Sequence, residues 1–246
     1  MQQAKRPEIR TVQGKVNHQV IKAGAAFLPE AQEPDSQLKD AFHDLRELKV
    51  SVVTPLLLGL YSDQEAGLLS RDEPLEALRL LESYVFRRAV CAIPSNSQQK
   101  TFATFSRALR REPDHYLPSF KAHLLNLPSY RRFPSDEEFR REIQIRNLYK
   151  FNKSCSYWLR RLENYKSKEP IAVANYTIEH ILPQNPELPV AWREALGPDW
   201  AQVQEEWLHR LGNLTLTGYN PELGDRPFPQ KREGERRLRQ EPAPPQ

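Results

Sequence analysis

Only two short segments of the chain have the composition of β-strands, and this limits the fold more than any other feature. They are residues 171–181, IAVANYTIEHI, and residues 211–217, LGNLTLT. Elsewhere the apolar side chains recur every three or four residues, which is the spacing of a helix that buries one face. The sequence therefore predicts a mainly α protein, in which a helical bundle is followed by a small ββα domain.

The helical bundle is expected over residues 37–169. Pro74 stands where the first turn of a helix tolerates proline. Ser135 is followed three residues later by Glu138, which is the pattern of a capping box at a helix start. The apolar spacing after Ser135 predicts that this helix continues to about Tyr165.

The residue pattern changes at residues 169–170, from helical apolar spacing to a β-prone run. We expect the small ββα domain over residues 170–240. Two helical stretches are expected between its strands and one after them, at residues 190–196, 200–208 and 226–240. Residues 1–36 are polar and weakly periodic, which indicates a flexible lead or a linker remnant. Residues 241–246, EPAPPQ, are expected to form a disordered tail.

Charge is divided unequally along the chain. Residues 1–169 hold 28 basic and 21 acidic side chains, whereas residues 170–246 hold 8 and 11. A basic body is what binding to a phosphate backbone requires. The leading candidates for DNA contacts are Arg131, Arg132, Arg140 and Arg141. The alternative is that these arginines only solvate the surface around the Ser135 cap.

Several classes of protein are disfavoured by composition. The mean hydropathy is −0.72, and no apolar run approaches the ~18 residues of a membrane span. The first ten residues lack the apolar stretch of a secretory signal. Two cysteines cannot form a disulfide framework or a four-thiolate zinc site. We therefore expect a soluble, cytoplasmic protein.

Polar side chains that could carry chemistry follow the two β-prone segments. Glu179 and His180 close the first segment, Asn213 lies in the second, and Asn220 lies in the following turn. Carboxylate and amide oxygens are the ligands that Mg²⁺ prefers, so Glu179 and Asn220 are expected to hold Mg²⁺ or Mn²⁺. His180 would then deprotonate a water, because its ordinary pKa of ~6.5 suits a general base. Asn213 can hydrogen-bond the loop behind His180.

These motifs resemble a known family. Residues 176–184, YTIEHILPQ, resemble the first strand of HNH, or ββα-metal, nucleases. Residues 209–217, HRLGNLTLT, with the later Asn220, Phe228 and Lys231, resemble the C-terminal nuclease domain of GmrSD-type modification-dependent restriction endonucleases. In that family a helical region precedes the nuclease.

The resemblance implies a metal-dependent DNA endonuclease of a bacterial anti-phage restriction system. It assigns the general base to His180, its positioning to Asn213, and the divalent metal to Glu179 and Asn220. His209 could bind a phosphate or a metal, or it could cap the preceding helix. Lys231 could neutralise the phosphate of bound DNA, or it could pack its stem near Phe228.

GmrSD-type proteins usually carry an N-terminal ParB-like domain that binds nucleotide and senses modified DNA. Its motif does not occur in this sequence, so the resemblance implies a sensor or NTPase partner on a longer chain or on a separate subunit. The alternative function is a non-catalytic DNA-binding or interaction module on an HNH-like fold.

Overall fold

The computed structural model of the protein describes residues 35–173 and 175–233. Most of the expected lead at residues 1–36, the expected tail at residues 241–246 and the end of the last expected helix lie outside the described residues. The described chain is mostly helical, with one two-stranded sheet. This confirms the mainly α fold class with a small ββα region.

The chain divides into two compact units, residues 1–135 and residues 136–246. The sequence predicts a boundary at residues 169–170 instead. The difference arises because the helices that follow residue 135 pack on the sheet: helix Asn152–Glu163 lies against strand Leu214–Thr217. Apolar spacing identifies a helix but not the unit in which its buried face lies.

The described part of the first unit contains five α-helices. They are α1 (Ser36–Glu47), α2 (Thr54–Glu65), α3 (Glu73–Val90), α4 (Gln98–Phe105) and α5 (Tyr116–Leu125). Helix α1 is capped by Asp35, whose Oδ1 accepts hydrogen bonds from the backbone N–H groups of Gln37 and Leu38. Helix α3 carries Pro74 in its first turn, as predicted.

The core of the first unit is formed by apolar faces of these helices. Helix α1 packs along α3, and α3 also contacts α5. Phe42 and Tyr61 stack with ring centroids 5.9 Å apart, and Phe105 packs on Phe120 at 4.8 Å. Phe105 and Phe120 are both fully buried, so aromatic rings form part of the core.

A buried arginine fixes the last loop of the first unit. The guanidinium of Arg88, with no exposed surface, donates to the carbonyl oxygens of Tyr130 at 2.8 Å and of Arg132 at 3.3 Å. Tyr84 donates its hydroxyl to the carbonyl of Arg131 at 2.7 Å. These bonds use the backbone oxygens of residues 130, 131 and 132, so the loop is held through its backbone.

The described part of the second unit contains a two-stranded antiparallel sheet and six helices. The strands are β1 (Thr177–His180) and β2 (Leu214–Thr217), paired so that His180 lies opposite Leu214. The helices are α6 (Asp136–Ile145), α7 (Asn152–Glu163), α8 (Val190–Leu196), α9 (Trp200–Trp207), α10 (Asn220–Leu223) and α11 (Phe228–Glu233).

Helices α8 and α9 confirm the insert predicted between the strands. They pack around Leu182, Leu188 and Trp192, with Leu196 and Trp200 at the edge. The β-prone segments form shorter strands than their composition indicated. Residues 211–213 are a 3₁₀ turn before β2.

The long helix predicted from Ser135 to about Tyr165 is wrong. Helix α6 ends at Ile145 and α7 begins at Asn152, with a 3₁₀ turn at Tyr149–Phe151 between them. The chain leaves the helix because the Leu148 N–H donates to the carbonyl oxygen of His209 at 2.9 Å. The Asn147 side chain then caps the new turn by accepting from the Lys150 N–H at 3.1 Å.

In the part of the chain that the structure describes, no helix combines the length and the apolar character that crossing a membrane requires.

Candidate active site

Glu179 and His180 are neighbours at the end of β1, and their side chains have different partners. Successive side chains of a strand point to opposite faces. Glu179 contacts Lys231 of helix α11, whereas His180 contacts His209, which follows helix α9. Both are buried, with 4% and 3% of their surface exposed. The strand end therefore holds two separate clusters rather than one shared site.

The first cluster is a pair of imidazoles. His180 Nε2 lies 3.1 Å from His209 Nδ1, which is hydrogen-bond distance. The ring of Tyr149 lies parallel to His209 at 5.2 Å and edge-on to His180 at 4.6 Å. Two elements outside the ββα motif thus complete the cluster: the segment after helix α9 and the turn before helix α7.

Burial makes both imidazoles weak bases. Desolvation lowers the pKa of His180 to about 4, and the nearby His209 and Lys231 add to the shift. Desolvation and the charge of Lys150 lower the pKa of His209 from 6.5. Both rings are therefore neutral at pH 7 and can accept a proton. His180 Nδ1 is buried and has no hydrogen-bond partner within the described residues.

Asn213 holds the loop that leaves His180, as the sequence predicted for it. Its side-chain oxygen accepts from the Leu182 N–H at 2.6 Å. Its side-chain nitrogen donates to the carbonyls of Leu182 at 3.1 Å and Leu208 at 2.9 Å. One buried amide therefore joins the exit of β1 to the end of helix α9, the two segments that carry the imidazole pair.

The second cluster is centred on the ammonium group of Lys231. Its Nζ donates to Glu179 Oε1 at 2.7 Å, to the His180 carbonyl at 2.9 Å and to the Ile181 carbonyl at 3.0 Å. Lys231 has no exposed surface. Burial raises the pKa of Glu179, and the hydrogen bond and charge of Lys231 oppose that rise.

Lys231 does not contact DNA from this position, which corrects the expectation that it binds a phosphate. All three donors of an ammonium are used inside the protein. The alternative, that its stem packs near Phe228, stays a prediction.

Asn220 lies at the first position of helix α10 and is anchored to β1. Its side-chain nitrogen donates to the Ile178 carbonyl at 2.8 Å and to Thr177 Oγ1 at 3.2 Å. It is half-buried. The side chain thus ties the short helix to the sheet.

The two expected Mg²⁺ ligands both have protein partners in this structure. The carboxylate of Glu179 already binds the ammonium of Lys231. Among residues 35–173 and 175–233, no group of three or more His, Cys, Asp and Glu side chains is arranged to hold a metal ion. A requirement for Mg²⁺ or Mn²⁺ stays a prediction, and so do the ligand roles of Glu179 and Asn220.

The four arginines predicted to contact DNA lie near the point in the chain where the first unit ends and the second begins. Arg131 and Arg132 belong to the loop fixed by Arg88 and are half-buried, whereas Arg140 and Arg141 are exposed on helix α6. Arg141 forms an ion pair with its neighbour Glu142 at 3.2 Å. DNA contact by these four residues stays a prediction.

Tyr149 and Lys150 are the site residues that sequence reasoning missed. The predicted long helix contains both, which hides the turn that brings Tyr149 onto the two histidines. A signal was present in Asn147, because asparagine is neutral to unfavourable inside helices and favoured where a new turn begins.

Comparison with protein families supports the motif assignment. Residues 133–242, somewhat less than half of the chain, match the family described as GmrSD restriction endonucleases, C-terminal domain. Comparison with curated proteins and with solved structures gave no match. The matched segment extends from helix α6 to helix α11 and contains both clusters. It therefore resembles the C-terminal region of GmrSD-type enzymes, which indicates a nuclease of the restriction-endonuclease type.

Proposed function

We propose that the protein is an HNH-type DNA endonuclease that hydrolyses phosphodiester bonds, with the imidazole pair as its general base. The observation that carries the proposal is the pair itself, His180 Nε2 and His209 Nδ1 at 3.1 Å. It lies at the end of β1, where the HNH resemblance places the base. The match to restriction endonucleases supplies DNA as the substrate class.

Two neutral rings in contact can accept a proton and share it. A general base must be unprotonated at the working pH, and both rings meet this condition at pH 7, although burial makes each a weaker base than a free imidazole. His209 Nδ1 faces His180, so its other ring nitrogen lies on the opposite edge of a half-buried residue. Water attacking the phosphorus atom loses its proton to the pair, while the P–O bond to the leaving oxygen breaks and that oxygen takes up a proton.

Two residues keep the pair in position. Asn213 fixes the backbone on both sides of the cluster through its bonds to residues 182 and 208. Tyr149 packs on both rings and limits their rotation. Neither residue needs to exchange a proton, so both are positioning residues in this proposal.

The surrounding charge suits a phosphate backbone. Lys150 is exposed and lies close enough to His209 to lower its pKa. Arg140 is exposed on helix α6 of the same unit. These groups add positive charge to the unit that holds the imidazole pair.

The proposal also includes the anti-phage role that the family resemblance implies.

A plasmid-cleavage assay tests the function. Supercoiled plasmid is incubated with the protein in Mg²⁺, in Mn²⁺ or in EDTA, using unmodified DNA and DNA with glucosylated hydroxymethylcytosine. We expect relaxed or linear product in at least one metal-containing reaction and none in EDTA. If every substrate stays supercoiled while fluorescence anisotropy shows binding, the protein is a non-catalytic DNA-binding module.

A further inference from the structure

The ammonium group of Lys231 occupies a buried set of oxygen atoms of the kind that hard cations bind. The set consists of one carboxylate oxygen, from Glu179, and two backbone carbonyls, from His180 and Ile181, at 2.7, 2.9 and 3.0 Å from Nζ. Carboxylate and carbonyl oxygens are also the usual ligands of divalent cations such as Ca²⁺ and Mg²⁺. Here they are satisfied by a side chain of the protein itself.

Burial makes this arrangement stable against exchange with solvent cations. Lys231 has no exposed surface and Glu179 has 4%. Removing either partner leaves the other charge buried without compensation, which strongly destabilises a protein. A metal ion could bind Oε1 of Glu179 only by displacing an ammonium whose three donors are all bonded to this set of oxygens.

The position of the Lys231 cluster allows it to hold the backbone at the end of β1. Two of its three acceptors are the carbonyls of His180 and Ile181, so the lysine holds the backbone at and just after the proposed general base. Helix α11, which carries Lys231, is thereby joined to the end of β1. The third acceptor, Glu179, supplies the charge that keeps the ammonium in place.

We propose that Lys231 is a built-in cation at the end of β1, and that Glu179 is its counter-ion rather than a ligand of a divalent metal. This inference depends on the proposed function in one respect, namely that the end of β1 belongs to a nuclease site. The lysine takes the place that the family pattern would give to a metal at Glu179. Any metal used in cleavage is then held by other groups.

The first test measures metal binding and stability in the intact chain. Glu179→Gln is compared with Glu187→Gln, the same chemical change at an exposed acid of the same unit. Isothermal titration calorimetry with Mn²⁺ should give the same result for both variants and the wild type. The Tm should fall markedly for Glu179→Gln and Lys231→Met and hardly for Glu187→Gln. The double variant Glu179→Gln/Lys231→Met should recover part of the loss, because both buried charges are gone.

The opposite results overturn the proposal. A tenfold or greater weakening of Mn²⁺ binding in Glu179→Gln alone would make Glu179 a metal ligand. A Tm unchanged by Lys231→Met would show that the ammonium does not hold the strand end. Neither readout requires cleavage. If the protein cleaves no DNA but the double variant recovers part of the lost Tm, the proposed nuclease function is refuted. The proposal that Lys231 is the cation bound to Glu179 then still stands.

A second measurement needs no variant and covers the case in which Lys231→Met does not fold. A lysine ammonium buried in three hydrogen bonds exchanges its protons slowly, so it should give a ¹H–¹⁵N NMR signal that solvent-exposed lysines do not. This signal should be unchanged when millimolar Mg²⁺ is added. Its absence, or its disappearance on adding Mg²⁺, would show that the cation position is open to metal.

Discussion

The imidazole of His180 fills space in addition to its proposed role as part of the general base. It is buried against Tyr149 and His209, with ring centroids at 4.6 and 5.3 Å. Truncation to alanine would leave a cavity and lower stability. Asparagine keeps a polar group of intermediate size at this position, so it separates the loss of the base from the loss of packing better than alanine does.

His180→Asn should lower the rate of plasmid cleavage by ~10²–10⁴-fold, the usual contribution of a general base. His209→Asn should lower it as well, because the proposed base is the pair. The affinity for DNA, measured by anisotropy, should be nearly unchanged in both variants. His115→Asn is the matched control, since His115 is an exposed residue of the first unit. Cleavage by His180→Asn at the wild-type rate would remove His180 from the mechanism.

Burial of His180 also makes folding sensitive to acid. Its pKa is about 4 in the folded protein, against an ordinary 6.5. Between these two values the unfolded chain binds a proton at this position and the folded chain does not. The stability due to the neutral ring is therefore complete above about pH 6.5 and is lost as the pH falls toward 4. His209 and His123 act in the same direction, because burial lowers the pKa of each.

We expect the free energy of unfolding to fall by about 2 kcal/mol between pH 7 and pH 5, with His180 as the largest contributor. Urea denaturation at the two pH values measures this difference. The His180→Asn variant should show a smaller difference between the two pH values than the wild type. An equal difference in the two proteins would mean that His180 titrates normally.

The exit of strand β1 depends on a side chain rather than on a third strand. A two-stranded sheet is marginally stable by itself, and here Asn213 makes three hydrogen bonds to backbone groups of residues 182 and 208. Asn213→Ala should cost about 2–4 kcal/mol, because buried backbone groups lose their partners. Asn126→Ala removes an exposed asparagine with one such bond and should cost far less in the same urea denaturation. Equal costs would mean that the loop has other support.

The turn that begins at residue 147 should affect catalysis through ring packing alone. Tyr149→Phe keeps the aromatic contacts with both histidines and should cleave DNA at close to the wild-type rate. Tyr149→Ala removes them and should lower kcat by roughly tenfold, with the KM for DNA unchanged. Tyr165→Ala, at a tyrosine that is 70% exposed, controls for removal of a surface ring. A fall in both Tyr149 variants would show that the hydroxyl itself takes part.

Individual elements differ in how far their sequence determines them. The insert helices α8 and α9 have clear apolar spacing and sharp ends, and their predicted bounds agree with the structure to within one residue. The break between α6 and α7 was missed because apolar residues occur on both sides of it, at Phe139, Ile143, Leu148 and Trp158. A hydrogen bond from Leu148 to the distant His209 decides the break. Local composition contains no information on such a partner.

For the molecule as a whole, positive charge should determine DNA affinity. The loop at residues 130–132 is rigid because Arg88 and Tyr84 bind its backbone carbonyls, and a rigid loop gives up little entropy on binding. Reversing Arg131 and Arg132 to glutamate should lower the affinity for any DNA sequence. It should also flatten the salt dependence, by about 0.9 in the logarithmic slope for each phosphate that the variant no longer neutralises.

The matched control reverses the same number of charges elsewhere in the first unit. Arg71→Glu/Arg107→Glu changes two exposed arginines and should reduce affinity less, with little change in the salt slope. Binding is measured by anisotropy across a salt series. Equal effects of the two double variants would mean that net charge, rather than the loop, attracts DNA.

The side-chain contacts of the second unit were predictable at some positions and not at others. The motif around His180 pointed to the proposed base, and Asn213 was correctly assigned to the loop behind it. The roles of Glu179 and Lys231 could not be read in the same way, because a carboxylate has the same sequence signature whether its partner is a metal or an ammonium. Only the burial of both side chains and the 2.7 Å distance between Lys231 Nζ and Glu179 Oε1 distinguish the two cases.

The backbone just after β1 is held by hydrogen bonds from two side chains that belong to different segments of the chain. Lys231 binds the carbonyls of residues 180 and 181, and Asn213 binds the N–H and the carbonyl of residue 182. Strand ends usually fray on fast timescales, but this one can open only if a buried ion pair and a buried amide separate together. We therefore expect local opening here to cost more free energy than the fraying of an ordinary strand end. In the proposed nuclease, the base would then be held in position before DNA binds.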